Sequence, residues 1–147
     1  MQTNFEVLTR DEFEAGLPIF QKITDTKSAI YICGSRVTCN PPPVGTDIDV
    51  LVSVASADAL RTVIQALEQC GYYYDFGDGY ESGQGNAFFS FKHKTAQWPN
   101  FNFLLSTNSN WCARHNRATA LCRHLNLLNK PDRIAVFRTI LYDVEHK

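Results

Sequence analysis

Gly34-Ser35 and, after a gap of eleven residues, Asp47-Ile48-Asp49-Val50-Leu51-Val52 are the stretches whose joint reading decides the fold of this chain. The second is an apolar, β-branched run and predicts a buried strand opened by two carboxylates. Side chains alternate across a strand, so Asp47 and Asp49 share one face while Ile48, Val50 and Val52 fill the other. Carboxylates in an apolar strand are costly unless something positive stands beside them. A divalent cation carrying a phosphate meets that need, because Mg²⁺ takes oxygen ligands from one or two carboxylates, water and substrate phosphates. An Asp at a strand start also arises where it merely ends a turn, so the pair alone does not assign a metal.

Residues 29–33, Ala-Ile-Tyr-Ile-Cys, form a short apolar run, and Gly34-Ser35 follows it at once. Glycine there lets the backbone approach a ligand closely, and serine offers hydroxyl and amide to phosphate oxygens. The combination resembles the nucleotidyltransferase superfamily, the fold shared by DNA polymerase β, the CCA-adding enzymes and the minimal nucleotidyltransferases of bacteria. Its signature is a hydrophobic residue, Gly, then Gly or Ser, a spacer, and Asp-hydrophobic-Asp/Glu-hydrophobic. Cys33-Gly34-Ser35 with Thr46-Asp47-Ile48-Asp49-Val50 fits it, and the likeness covers about the first two thirds of the chain. The stretch from Arg123 to Lys130 is also similar to small stand-alone members of phages and bacteria.

The resemblance implies a fold and a chemistry. Asp47 and Asp49 would hold Mg²⁺ or Mn²⁺ with a nucleoside triphosphate, and Gly34, Ser35 and the adjoining Arg36 would contact its phosphates. The acceptor of the transferred nucleotide stays open between RNA, a protein and a small molecule. The superfamily places a third carboxylate on a later hydrophobic-Asp-hydrophobic strand. The matching strand here is Phe101-Asn102-Phe103-Leu104-Leu105, with Asn102 at the acidic position. An amide can lend a carbonyl oxygen to a metal but takes no proton at useful pH. Asp75, Asp78, Glu81 and His93 are the candidate substitutes. Three readings stand: a metal-dependent nucleotidyltransferase, a catalytically degenerate module that binds nucleotide or protein as a regulator or inhibitor, and a Mn²⁺-dependent glycosyltransferase. The third needs the Gly-Ser spacing to be accidental.

Composition excludes several other classes. At 147 residues the chain reads as one domain with a core that needs no staples. The net charge of −1 and the lack of a basic tract argue against wholesale nucleic-acid binding, leaving only local contacts. The amino terminus is polar and acidic, unlike a signal peptide, and no apolar stretch reaches membrane-spanning length. The expected compartment is the cytosol. Five cysteines without a C-x-x-C pair read as reduced, buried, small hydrophobes.

The expected architecture is α+β, a small mixed sheet with helices packed over one face. A helix capped by Thr9 or Asp11 runs to about residue 23 with a Phe13, Leu17, Phe20, Ile23 stripe, kinked or restarted at Gly16 and Pro18. Three prolines at 41–43 limit any helix after Ser35 to about one turn. An amphipathic helix over 56–70 is stopped by Gly71. A strand over 72–76, a Gly-rich acidic loop over 77–85 and two hairpin strands over 86–94 and 100–106 follow. A helical pair at about 108–142 ends the chain, broken at 129–132. In its first helix Trp111, Ala118, Leu121, Cys122, Leu125 and Leu128 form the apolar stripe, with Arg114 inside it. An inward arginine needs an anion, either a buried acid or nucleotide phosphate, and Arg114 is a candidate nucleotide-binding residue on the second reading. Arg117 and His124 lie on the flank, and Lys92 on a strand face is a further candidate phosphate contact.

Overall fold

A computed structural model describes residues 3–43, 46–75, 88–93 and 99–142. After a short 3-10 turn at Phe5–Val7 come α1 (Arg10–Asp25), β1 (Ala29–Cys33), the single turn α2 (Ser35–Thr38) and β2 (Ile48–Ser53). Then follow α3 (Ala57–Gln69), β3 (Tyr72–Asp75), β4 (Phe89–His93), β5 (Phe101–Ser106), α4 (Ser109–His124) and α5 (Lys130–Tyr142). The Gly-rich loop, with Asp78 and Glu81, lies outside the described residues.

Local chemistry starts three of the helices where they begin. Thr9 accepts from the Glu12 amide at 3.2 Å while the Glu12 carboxylate accepts from the Thr9 amide at 2.8 Å, a reciprocal cap. Ser56 and Asn108 cap α3 and α4 from one side only, each accepting from a first-turn backbone amide. Pro18 neither breaks nor restarts α1, which runs unbroken to Asp25. The ring sits on the exposed side with Glu14, so the carbonyl it leaves unbonded faces water. Leu17, expected in the apolar stripe, is exposed, and Ile19 is buried in its place.

The five strands form one mixed sheet in the order β1-β2-β5-β4-β3. β2 and β5 are parallel and the other neighbours antiparallel. Alternation splits β2 between two cores. Ile48, Val50 and Val52 pack under α1 and α3 with Phe20, Ile23, Val63 and Phe103. Leu51 faces the other way, with Leu104, against Trp111, Cys122, Phe137 and Leu141 of α4 and α5. The α+β class and mixed sheet are as the sequence implies, but the helices cover both faces rather than one. The C-terminal pair supplies the second layer, and its face of the sheet carries the acidic residues.

The face that α4 turns inward also differs from expectation. Its buried residues are Trp111, Cys112, His115, Ala118, Thr119 and Cys122. Leu121, Leu125 and Leu128 are 38%, 53% and 59% exposed, so they are not core. The helix ends at His124, and a residue of positive φ, Asn126, turns the chain toward α5. The wheel is therefore rotated, and Arg114 moves from mid-stripe to a half-buried margin. All five cysteines are unpaired thiols, buried except for Cys70.

Candidate functional site

The site forms where β1 and β2 hand the chain to its loops. Gly34 ends β1 with φ of +68°, a left-handed conformation that favours glycine. A Cβ there would also run into the Asp49 carboxyl group, 2.8 Å from its Cγ. The missing side chain is thus what lets Ser35 and the α2 backbone stand against the acid. Register fixes the rest: Cys33 lies opposite Asp49, and Asp49 opposite Asn102 on β5. Asp47 sits one residue ahead of β2.

The Asn102 amide ties the acids together. Its Nδ2 donates to Asp47 Oδ2 at 3.3 Å and to Asp49 Oδ1 at 3.2 Å. Both carboxylates therefore aim at one point. Around it opens a cavity of about 560 Å³ lined by Gly34, Ser35, Asp47, Asp49 and Asn102 on the sheet side. Lys130 and Arg133 of α5, Lys92 and Ser90 of β4 and His115 of α4 complete the walls.

The electrostatics are those of a negative point short of a cation. Burial pushes the Asp49 carboxyl up to about 6, and the neighbouring Asp47 charge adds to this; the Asn102 hydrogen bond, Lys92 and Lys130 oppose it. Burial, reinforced by Asp49, also raises the Cys33 thiol, which stays protonated. His115, buried between the rings of Trp111 and Phe137, is held neutral, its pKa lowered by burial to about 3.

Five of the residues singled out from sequence, Gly34, Ser35, Asp47, Asp49 and Asn102, thus meet in one cavity. Arg36 does not join them. Its side chain turns back under α1 and forms a buried two-pronged pair with Glu12, at 2.5 and 2.9 Å. A guanidinium satisfied by a carboxylate in the core is not offered to a phosphate. Arg114, half-buried on α4, does not line the cavity either. Among the candidate substitutes for the third acid, Asp75 pairs with Lys92 at 3.0 Å, and the His93 ring bonds the Cys70 carbonyl at 3.0 Å on the opposite face. Lys130, Arg133 and His115 carry no sequence signal of a site. The first two read as an exposed helix start, and only the turn after α4 brings them over the acids.

The donor set fits one hard divalent cation. Two carboxylates meet at the Asn102 amide nitrogen, and the charge on Asp49 that burial disfavours, only partly offset by Asn102, Lys92 and Lys130, is what a cation would relieve. Asp47 and Asp49 would hold it, with Asn102 turning its carbonyl oxygen inward. Among the described residues no group of three or more His, Cys, Asp or Glu side chains gathers. A second closely held cation lacks its carboxylate.

The sequence matches no protein-family profile and no characterised protein sequence. Solved structures do match. Terminal uridylyl transferase 4 of Trypanosoma brucei with bound dUTP aligns over 89% of this chain and 44% of that one, at 15% identity and a TM-score of 0.53. The same enzyme with bound GTP covers 86% and 42%, at 17% identity and 0.50. The Cid1 poly(U) polymerase with MgGTP covers 88% and 41%, at 13% identity and 0.50. The chain therefore spans less than half the length of these structures. At such identities the likeness concerns architecture alone, and together with the sheet, its register and the placement of Gly34-Ser35 against Asp47 and Asp49 it establishes that this chain has the nucleotidyltransferase fold.

Proposed function

We propose that the chain binds a nucleoside triphosphate as its Mg²⁺ or Mn²⁺ complex in this cavity and passes the nucleotidyl group to a hydroxyl acceptor. One observation carries the reading: Asp47 and Asp49, joined by the Asn102 amide, line one cavity with Gly34-Ser35, whose backbone comes close to Asp49 only because Gly34 lacks a Cβ. The bound cation would join the two acids to the phosphates. The Ser35 hydroxyl meets the outer phosphates from the β1 side, while Lys130 and Arg133 meet them from α5. The acceptor oxygen bonds to the α-phosphorus, the bond to pyrophosphate breaks, and the hydroxyl proton leaves to water. Catalysis of this kind is positioning and charge neutralisation, which few residues can supply. The solved structures of the same fold hold dUTP, GTP or MgGTP, which supports a nucleoside triphosphate as the ligand.

Asn102 favours a second reading, a nucleotide-binding regulator without turnover. With an amide where the superfamily places its third acid, no described residue of the cavity both binds a second cation and takes the proton. Pyrophosphate release decides between them, measured with each triphosphate and Mg²⁺ or Mn²⁺ on the wild type and on Asn102→Asp. Release that rises at least tenfold in the variant marks an acceptor groove with a weakened catalyst. Metal-dependent binding with no release from either protein marks the regulator.

A further inference from the structure

One rung of the sheet runs through the site. On the cavity face Cys33 lies opposite Asp49, Asp49 opposite Asn102, and Tyr73 opposite Lys92. β4 and β5 pair Phe91 with Phe103, and continuing that register by one residue sets Lys92 beside Asn102. From β1 to β3 the row therefore reads thiol, carboxylate, amide, ammonium, phenol. Tyr72 points to the opposite face, against Phe103 at 5.3 Å between ring centroids, so Tyr73 stands on the cavity side. It is 37% exposed on the edge strand, three strand spacings or about 14 Å from Asp49.

The proposed transfer fixes which end of this row is free, and the inference rests on that reading. Gly34-Ser35 at the end of β1, with Lys130 and Arg133, marks the pyrophosphate side. Attacking and leaving oxygens in phosphoryl transfer lie roughly in line. The acceptor must then approach from the far side, across β4 and β3, where Lys92 and Tyr73 stand. We infer that Lys92 and Tyr73 form the docking track of a single-stranded polynucleotide acceptor, with Lys92 meeting a backbone phosphate and Tyr73 stacking on a base.

The chemistry of this face suits that occupant. A cation beside an open aromatic ring is how single strands are held without base readout. The Lys92–Asp75 pair, 41% and 30% exposed, is a surface pair of small worth, so a phosphate can take over the ammonium. Charge agrees: although the chain as a whole is at −1, no carboxylate occurs between Glu81 and Asp132, while six lysines and arginines do. β4 and β5 come from that segment, and on β3 the one carboxylate of this face is Asp75, the partner of Lys92.

The test is fluorescence anisotropy of a labelled, short single-stranded RNA, titrated with the full chain in EDTA so that no metal is needed. The wild type binds, Tyr73→Ala weakens binding roughly 5-fold or more, and Tyr73→Phe, which keeps the ring, stays within about 2-fold. Lys92→Gln weakens binding and flattens its salt dependence. Absence of RNA binding by the wild type overturns the inference and points to a protein or small-molecule acceptor. So does Tyr73→Ala binding like the wild type, or Tyr73→Phe losing as much as Tyr73→Ala. Metal-dependent triphosphate binding by the wild type is titrated in parallel. Its failure sinks the proposed function and this inference together, whereas its success beside failed RNA binding sinks this inference alone.

Discussion

Replacing Asp49 by Asn should make the metal-free protein more stable at neutral pH while destroying its site. The Asp49 carboxyl rises from its ordinary 3.8 to about 6 in the folded chain, chiefly through burial. A difference of about 2 units corresponds to about 3 kcal/mol. The sign follows from proton counts. Between pH 4 and 6 the folded chain holds a proton that the unfolded chain has released, so stability falls as pH rises through that window and levels above it. At pH 7.5 the full cost is present, and Asp49→Asn removes it. Urea denaturation in EDTA should therefore show a gain of about 2–3 kcal/mol at pH 7.5, shrinking to about 1 kcal/mol at pH 4.5. The same variant should lose metal-dependent triphosphate binding. A variant less stable than the wild type at pH 7.5, or a gain that does not change with pH, would refute the picture of an uncompensated carboxylate.

Other substitutions separate scaffold from site. Gly34→Ala should cost about 1–3 kcal/mol for the positive-φ backbone alone, and, by displacing the Asp49 carboxyl, abolish triphosphate binding in a calorimetric titration. Arg36→Leu should cost about 3–5 kcal/mol in urea denaturation, because it leaves the Glu12 carboxylate buried without its partner. The protein that remains folded should bind triphosphate within about twofold of the wild type, since Arg36 faces α1 and not the cavity. Lys130→Gln should weaken triphosphate binding by about tenfold and monophosphate binding much less, as expected for a charge-assisted contact to the outer phosphates.

What the sequence revealed and what it hid follow one physical line. Gly34-Ser35 and Asp47-x-Asp49 were legible because strand alternation and glycine's freedom are local rules, and the register of β1, β2 and β5 then brought them together with Asn102. Arg36 misled because its neighbour Ser35 faces the cavity while one turn of helix swings the guanidinium to Glu12, 24 residues earlier. No local pattern encodes that partner. The inward face of α4 was misjudged because hydropathy favours Leu121, Leu125 and Leu128, whereas packing buries His115 and Thr119. That same burial puts helices on both sheet faces, and the turn at Asn126 carries Lys130 and Arg133 over the acids. Such long-range placement is written in tertiary packing rather than in periodicity.

The most direct test of the account is a calorimetric titration of nucleoside triphosphate into the wild type and into the Asp47→Ala/Asp49→Ala double variant, each with Mg²⁺ and with EDTA. The wild type should bind in Mg²⁺, and binding should be lost in EDTA and in the double variant. Equal binding by both proteins, or binding indifferent to the cation, would contradict it.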